Sequence, residues 1–297
     1  MVKTTLFYSV IGIIIIAIGV AIWCFYRRKK KPLKKLKVGL ALGSGGLWGL
    51  AHIGVLKMLE KNNVPIDYIV GSSIGAIIGA CYSLNPNIEE LEKTAVSLTK
   101  WRLIKLVDIS IPKKSLLSGN KIKNFLEELI GDKSFSDTKI PFKIVATDLE
   151  SGEEFIIEKG KLVDAIMASI SIPGIFPPVK VDGKVLVDGG VINPTPTNIA
   201  EEMGANVIIS VDLTMQNKIE LKEPNIFQTL MRSYEILRTQ STKFNINEED
   251  KNLLIIKPDI IKIKSFKFYE IQKFIGEGER IAKESLPKIK LLLKNFK

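Results

Sequence analysis

The sequence predicts an α/β protein, a three-layer α/β/α sandwich around a central, mostly parallel sheet. Several strand-like runs are apolar throughout rather than alternating, among them "KVGLAL" (37–42) and "ANVIISVDL" (205–213). Strands covered on both faces by helices read this way. Runs of this kind alternate with helical periodicity along the chain, the order expected of an α/β domain. Residues 38–297 are also enough chain for one large domain with a substantial core.

Taken in order, "KVGLAL" is followed by glycines and an apolar-periodic helix, "LAHIGVLKMLEKN" (50–62). "IDYIV" (66–70) is the next strand, with a glycine-rich helix after it and a further helical stretch at 88–99. A less regular part, 101–119, precedes a helix over 120–130 and the strand "PFKIVATDL" (141–149). "EEFIIE" (153–158) and "KVLVDGG" (184–190) read as shorter strands; between them, "ASISIPGIFPPV" (168–179) reads as a helix ended by Pro173 and a loop. "ANVIISVDL" and "NLLIIKP" (252–258) are the last strands, and the periodic, basic final thirty residues form a closing helix.

The first 37 residues differ from the rest. Thr4 to Tyr26 carry no charge. A helix over about 5–26 would be ~32 Å long, about the thickness of bilayer hydrocarbon, with Tyr8, Trp23 and Tyr26 near its ends. "RRKKKPLKKLK" follows instead of a small-residue cleavage site, so the segment reads as an uncleaved anchor. The positive-inside rule places the basic flank and the domain after it in the cytoplasm, with the flank against anionic headgroups. The expectation is a single-pass membrane protein with its main domain cytoplasmic. Lys3 and the flank account for +9 of the formal net charge of +11. The domain itself is close to neutral, which argues against a nucleic-acid surface. Cys24, Cys81 and the single histidine, His52, suggest neither a disulfide framework nor a thiolate or zinc site. No metal or cofactor is expected.

The chemistry lies at strand-to-helix joins. "YIVGSSIGAIIGACY" (68–82) holds Gly71-x-Ser73-x-Gly75 directly after a strand and at the start of a helix. A serine in such a turn projects its oxygen outward, and flanking glycines leave room for substrate. Ser73 is therefore the candidate nucleophile, and Ser72 a packing or turn residue. "LALGSGGLWGLAHIGVL" (40–56) has the glycines of an anion-holding loop. It lacks the spacing of a dinucleotide fingerprint and the Gly-Lys-Ser/Thr ending of a phosphate loop. An oxyanion hole for Ser73 fits both loops. His52 reads as structural, and no histidine follows Ser73, which excludes the serine–acid–histidine order of the α/β-hydrolases. Asp148, Asp188 and Asp212 all end strands. Asp188 stands out because an apolar strand delivers it into two glycines, where a carboxylate could take the serine proton directly.

These blocks, together with "FKIVATDLESGE", "LVDAIMASISIPGIFPPVKVDGKVLVDGG" and "NPTP" followed by "MGANVIISVDL", resemble the bacterial branch of the patatin-like phospholipase family over about 38–215. The resemblance implies a patatin-like α/β/α fold and metal-independent hydrolysis of lipid acyl esters, in the manner of a phospholipase A or lysophospholipase. It implies Ser73 as nucleophile, Asp188 as its dyad partner, and an oxyanion hole from the N–H groups of Gly43, Ser44, Gly45 and Gly46. The implied substrate is a phospholipid or other lipid ester. The chain departs from the family pattern in two places. Ser44 replaces one of four glycines, and Trp48 stands where an arginine is usual; Trp48 is instead a candidate contact to acyl chain or bilayer. A second reading stays open, in which a membrane-anchored domain with this fold binds lipid or a protein partner and has lost catalytic strength.

Overall fold

The computed structural model describes residues 35–97, 115–214, 223–259 and 271–294. The expected anchor helix over about 5–26 lies outside the described residues, as does most of the irregular part at 101–119. Among the described residues no helix is long and apolar enough to cross a membrane. The elements that follow all belong to one compact unit, Leu36–Asn295.

The strands are β1 (Val38–Leu42), β2 (Tyr68–Ser72), β3 (Phe142–Asp148), β4 (Glu154–Ile157), β5 (Val179–Val181), β6 (Lys184–Asp188), β7 (Val207–Val211) and β8 (Leu253–Ile256). They form one sheet in the order β5-β6-β3-β2-β1-β7-β8, with β4 also pairing with β3. The run from β3 to β8 is parallel. β4 and β6 lie antiparallel to β3, and β5 antiparallel to β6. The sheet is thus mostly parallel, with an antiparallel edge.

Helices flank it: α1 (Ala51–Lys61), α2 (Ile74–Leu84), α3 (Ile88–Ser97), α4 (Asn120–Ile130), α5 (Leu162–Ser169), α6 (Thr197–Glu202), α7 (Ile226–Asn245) and α8 (Ile271–Lys294). A 3-10 turn, Gly46–Leu50, leads into α1, so the expected helix over 50–62 is trimmed at both ends. α5 stops at Ser169, before Pro173, because the Ser171 hydroxyl and amide turn back onto the carbonyls of Met167 and Ala168. β5, α6 and α7 have no counterpart in the sequence expectations.

Side chains on neighbouring strands alternate between the two helical layers. Ala41, Val70 and Val145 share a buried cluster with Ile199 and Ala200 of α6. Leu40, Ile69 and Ile144, also fully buried, point the other way. Each large side chain removed from water contributes about 1.5–3 kcal/mol, which is why these strands read as unbroken apolar runs.

Register positions the site. Leu42 is opposite Gly71, so the loop after β1 and the turn after β2 emerge side by side at the carboxyl ends of parallel strands. Ser72 is opposite Val145, and the next β3 residue, Ala146, is opposite Asp188. Asp188 therefore stands level with Ser73, with β3 between their strands.

Candidate active site

Ser73 joins β2 to α2 with φ 55° and ψ −122°. A side chain held in such a region costs about 1–3 kcal/mol unless its surroundings enforce it. Here the Ser73 N–H donates to Ser169 Oγ at 2.8 Å, and Ser169 in turn donates to the Val145 carbonyl at 2.6 Å. The turn is tight enough that a Cβ on Gly75 would come within 2.0 Å of the Leu42 carbonyl oxygen. This close approach accounts for the glycine two residues after the serine.

The Ser73 hydroxyl donates to Asp188 Oδ2 at 2.7 Å. Asp188 Oδ1 accepts the Gly190 N–H at 2.7 Å. Its backbone is fixed as well, the N–H donating to the Ser171 carbonyl at 3.0 Å and the carbonyl accepting the Thr147 hydroxyl at 2.9 Å. Gly190 has no room for a side chain, since a Cβ would sit 2.8 Å from both Ser44 Oγ and the Tyr234 hydroxyl. Full burial pushes the Asp188 carboxyl up from its ordinary value of 3.8. Hydrogen bonds from Ser73 and Gly190, the charge of Arg238 and the Tyr234 hydroxyl oppose that rise without cancelling it. The result is a stronger base than an exposed aspartate.

The glycine loop lies beside this pair. Two of its four expected donors are engaged within the fold: Gly43 N–H donates to the Val211 carbonyl at 3.1 Å and Ser44 N–H to Pro194 at 2.7 Å. The expectation of a four-residue hole is corrected accordingly, because β7 and the loop before α6 take those amides. Gly45 and Gly46 remain. Both line a largely apolar cavity of about 470 Å³ that also holds Ser73, Leu47, Trp48 and Met231. Trp48 thus occupies the cavity wall.

His52 is fully buried and donates from Nε2 to the Gly43 carbonyl at 2.7 Å. Burial lowers its pKa to about 4, so the ring is neutral at physiological pH. It braces the loop. The other two aspartates are occupied elsewhere: Asp148 pairs with Lys184, and Asp212 accepts the amide and hydroxyl of Thr214.

Sequence reasoning missed α7 entirely, and with it Tyr234 and Arg238. Arg238 is buried and donates from Nε to Ser44 Oγ at 2.9 Å and from its second terminal nitrogen to the Ser44 carbonyl. Its first terminal nitrogen pairs with the buried carboxylate of Glu235 at 2.6 Å. A guanidinium therefore does reach the glycine loop, although Trp48 holds the place where an arginine was expected. The serine that replaces a loop glycine provides one of its acceptors. No local pattern announces this contact, which joins residues 194 positions apart.

A strained serine bonded to a buried aspartate, beside free amides in an apolar cavity, is an arrangement suited to acyl transfer. Residues 40–201 match the family described as patatin-like phospholipase, and the chain belongs to that family. Its relatives include an uncharacterized NTE family protein of Mycobacterium tuberculosis, 35% identical over 213 residues that make up 71% of this chain and 58% of that protein. The human patatin-like phospholipase domain-containing protein 6 is 34% identical over 66% of this chain but only 15% of its own length. The lysophospholipase NTE1 of Meyerozyma guilliermondii is 27% identical over 84% of this chain and 17% of its own length. The chain thus spans a little over half of the mycobacterial relative and a small part of the other two. Among solved structures, VipD of Legionella pneumophila has a TM-score of 0.47 at 12% identity, covering 89% of this chain and 67% of that one.

Proposed function

We propose that this chain is a membrane-associated serine hydrolase of lipid acyl esters, of phospholipase A or lysophospholipase type, working through Ser73 and Asp188. The observation that carries the reading is the 2.7 Å bond from the Ser73 hydroxyl to Asp188, facing an apolar cavity beside the Gly45 and Gly46 amides. The family of the chain and the lysophospholipase named among its relatives support the substrate class.

The Ser73 oxygen attacks the ester carbonyl while Asp188 takes its proton. Burial favours the protonated carboxyl, so the transfer is less uphill than it would be to an exposed aspartate. The Gly45 and Gly46 N–H groups, at the start of the 3-10 turn, donate to the oxyanion. Asp188 then gives its proton to the departing lyso-lipid or alcohol. Water, again deprotonated by Asp188, releases the fatty acid from Ser73. Arg238 and His52 hold the Ser44 and Gly43 carbonyls and so aim the loop. The uncharged segment at 4–26 and its basic flank keep the domain at the cytoplasmic face of a membrane, close to an insoluble substrate.

The test is hydrolysis of a panel of phospholipids, lysophospholipids and neutral glycerides, with products identified by mass spectrometry. Release of free fatty acid by the wild type and its loss in Ser73→Ala is the expected result. No product from any lipid ester would favour the binding-domain alternative, and full activity in Ser73→Ala would refute the assignment.

A further inference from the structure

α7 is amphipathic in the wrong sense for a helix packed on a core. The residues it buries are Glu235, Arg238, Thr239 and Thr242. The apolar residues it carries at 226, 230, 237 and 244 recur at helical spacing on the opposite side. They stand in solvent: Ile226 is 82% exposed, Leu230 57%, Leu237 60% and Phe244 91%. The helix has 20 residues, so this ridge runs for ~30 Å. Large apolar side chains exposed along one helix face over that length, with Ser233 and Gln240 between them, mark an interaction surface.

We propose that the outer face of α7 docks on a lipid surface, with the helix lying in the plane of the headgroups. The choice of lipid rests on the hydrolase reading and on three features of the helix. The exposed ridge continues through Phe227, half exposed at 49%, into the wall of the Ser73 cavity, so a surface seated on α7 adjoins the opening through which a substrate passes. A second protein copy on the same face would cover that opening. The only carboxylate on the helix, Glu235, is buried and paired, while Lys243 is exposed, so the outer face meets anionic headgroups without repulsion. Interfacial helices combine these features, with an apolar strip sunk ~5–10 Å into the headgroup–acyl boundary and basic residues beside it. The inner face is tied to the site, since Arg238 holds Ser44 and the Tyr234 hydroxyl lies close enough to Asp188 to influence its carboxyl. Docking therefore brings lipid to the element that braces the loop and lies beside the carboxylate.

The experiment uses the full chain, with Cys24→Ser and Cys81→Ala, reconstituted in vesicles of phosphatidylcholine and phosphatidylglycerol. An environment-sensitive dye is attached at Leu237→Cys or, as control, at the exposed position Lys283→Cys of α8. The expected result is blue-shifted emission at 237, quenched several-fold more by acyl-chain-brominated lipid than at 283. Equal emission and quenching at the two positions would overturn the proposal. So would disulfide-linked dimers through the unlabelled Leu237→Cys protein in vesicles, which would show that a second copy covers the face. In parallel, Leu230→Asp/Leu237→Asp/Phe244→Asp should lower hydrolysis of vesicle lipid by about tenfold or more, while hydrolysis of a soluble short-chain ester stays within about twofold. Equal loss on both substrates would also count against docking. If the wild type hydrolyses no ester, the hydrolase reading fails, yet the dye still reports whether α7 meets lipid.

Discussion

α1 and α7 are both regular helices beside the same loop, and they bury opposite kinds of residue. α1 turns Ile53, Val55, Leu56 and Leu59 inward, all fully buried. α7 turns Glu235, Arg238, Thr239 and Thr242 inward and leaves Leu230, Leu237 and Phe244 outside. Removal of apolar area from water stabilises the first. Paired polar groups seat the second, and their partners include Ser44 of the glycine loop. For α7, then, packing and site geometry are the same set of contacts, whereas α1 supports the site only as scaffold.

The largest effect expected from breaking this contrast comes from the inner face of α7. Arg238→Met removes the buried cation bonded to Glu235, which costs about 3–5 kcal/mol in a urea-unfolding midpoint measurement. Adding Glu235→Leu should return most of that stability. It should not return activity, which stays about 10–100-fold down because the Ser44 carbonyl and hydroxyl have lost their donor. Recovery of both together would show that Arg238 is structural only. Next in size is Leu59→Ala in α1, expected to cost about 2–5 kcal/mol. Its counterpart on the outer face of α7, Leu237→Ala, should change stability by no more than about 0.5 kcal/mol in the same assay. A large cost at 237 would mean that this face is packed, not exposed.

The smallest effect is pH-dependent. Burial raises the Asp188 pKa in the folded protein, so its contribution to stability is fully present below the unfolded carboxyl value and is lost as pH rises through the folded one. Asp188→Asn escapes that loss. The variant should therefore be more stable than the wild type at pH 7.5, and the difference should shrink as pH falls toward the ordinary carboxyl value of 3.8. Paired urea midpoints at several pH values measure it. A difference that grows at low pH would show that the Asp188 carboxyl is depressed, not raised.

The same contrast explains what could be read in the chain. β1, β2 and β7 are legible because strands covered on both faces are apolar at most positions, with Ser72 and Ser210 the buried exceptions in β2 and β7. Ser73 and Asp188 are legible because each sits at a strand end, Ser73 between Gly71 and Gly75 and Asp188 directly before Gly189 and Gly190, glycines that close approach demands. α7 offers no such signal. Its buried residues are charged or hydroxylic, so a search for an apolar stripe finds the face that points away from the fold. The Gly43 and Ser44 amides looked free for the same reason, since their acceptors, Val211 and Pro194, lie far away in sequence and are set by sheet order. Local spacing points to Ser73 and Asp188, which the fold joins by a hydrogen bond, but which loop amides are taken up depends on long-range neighbours.

The central claim, a serine activated by Asp188 alone, is tested most directly by the rate at which an alkyl fluorophosphonate modifies the protein. Mass spectrometry should find one adduct, on Ser73, in the wild type. In Asp188→Asn the modification should slow by about 10²–10⁴-fold, the usual worth of a positioned general base. An adduct on another residue, or an unchanged rate in Asp188→Asn, would contradict the account.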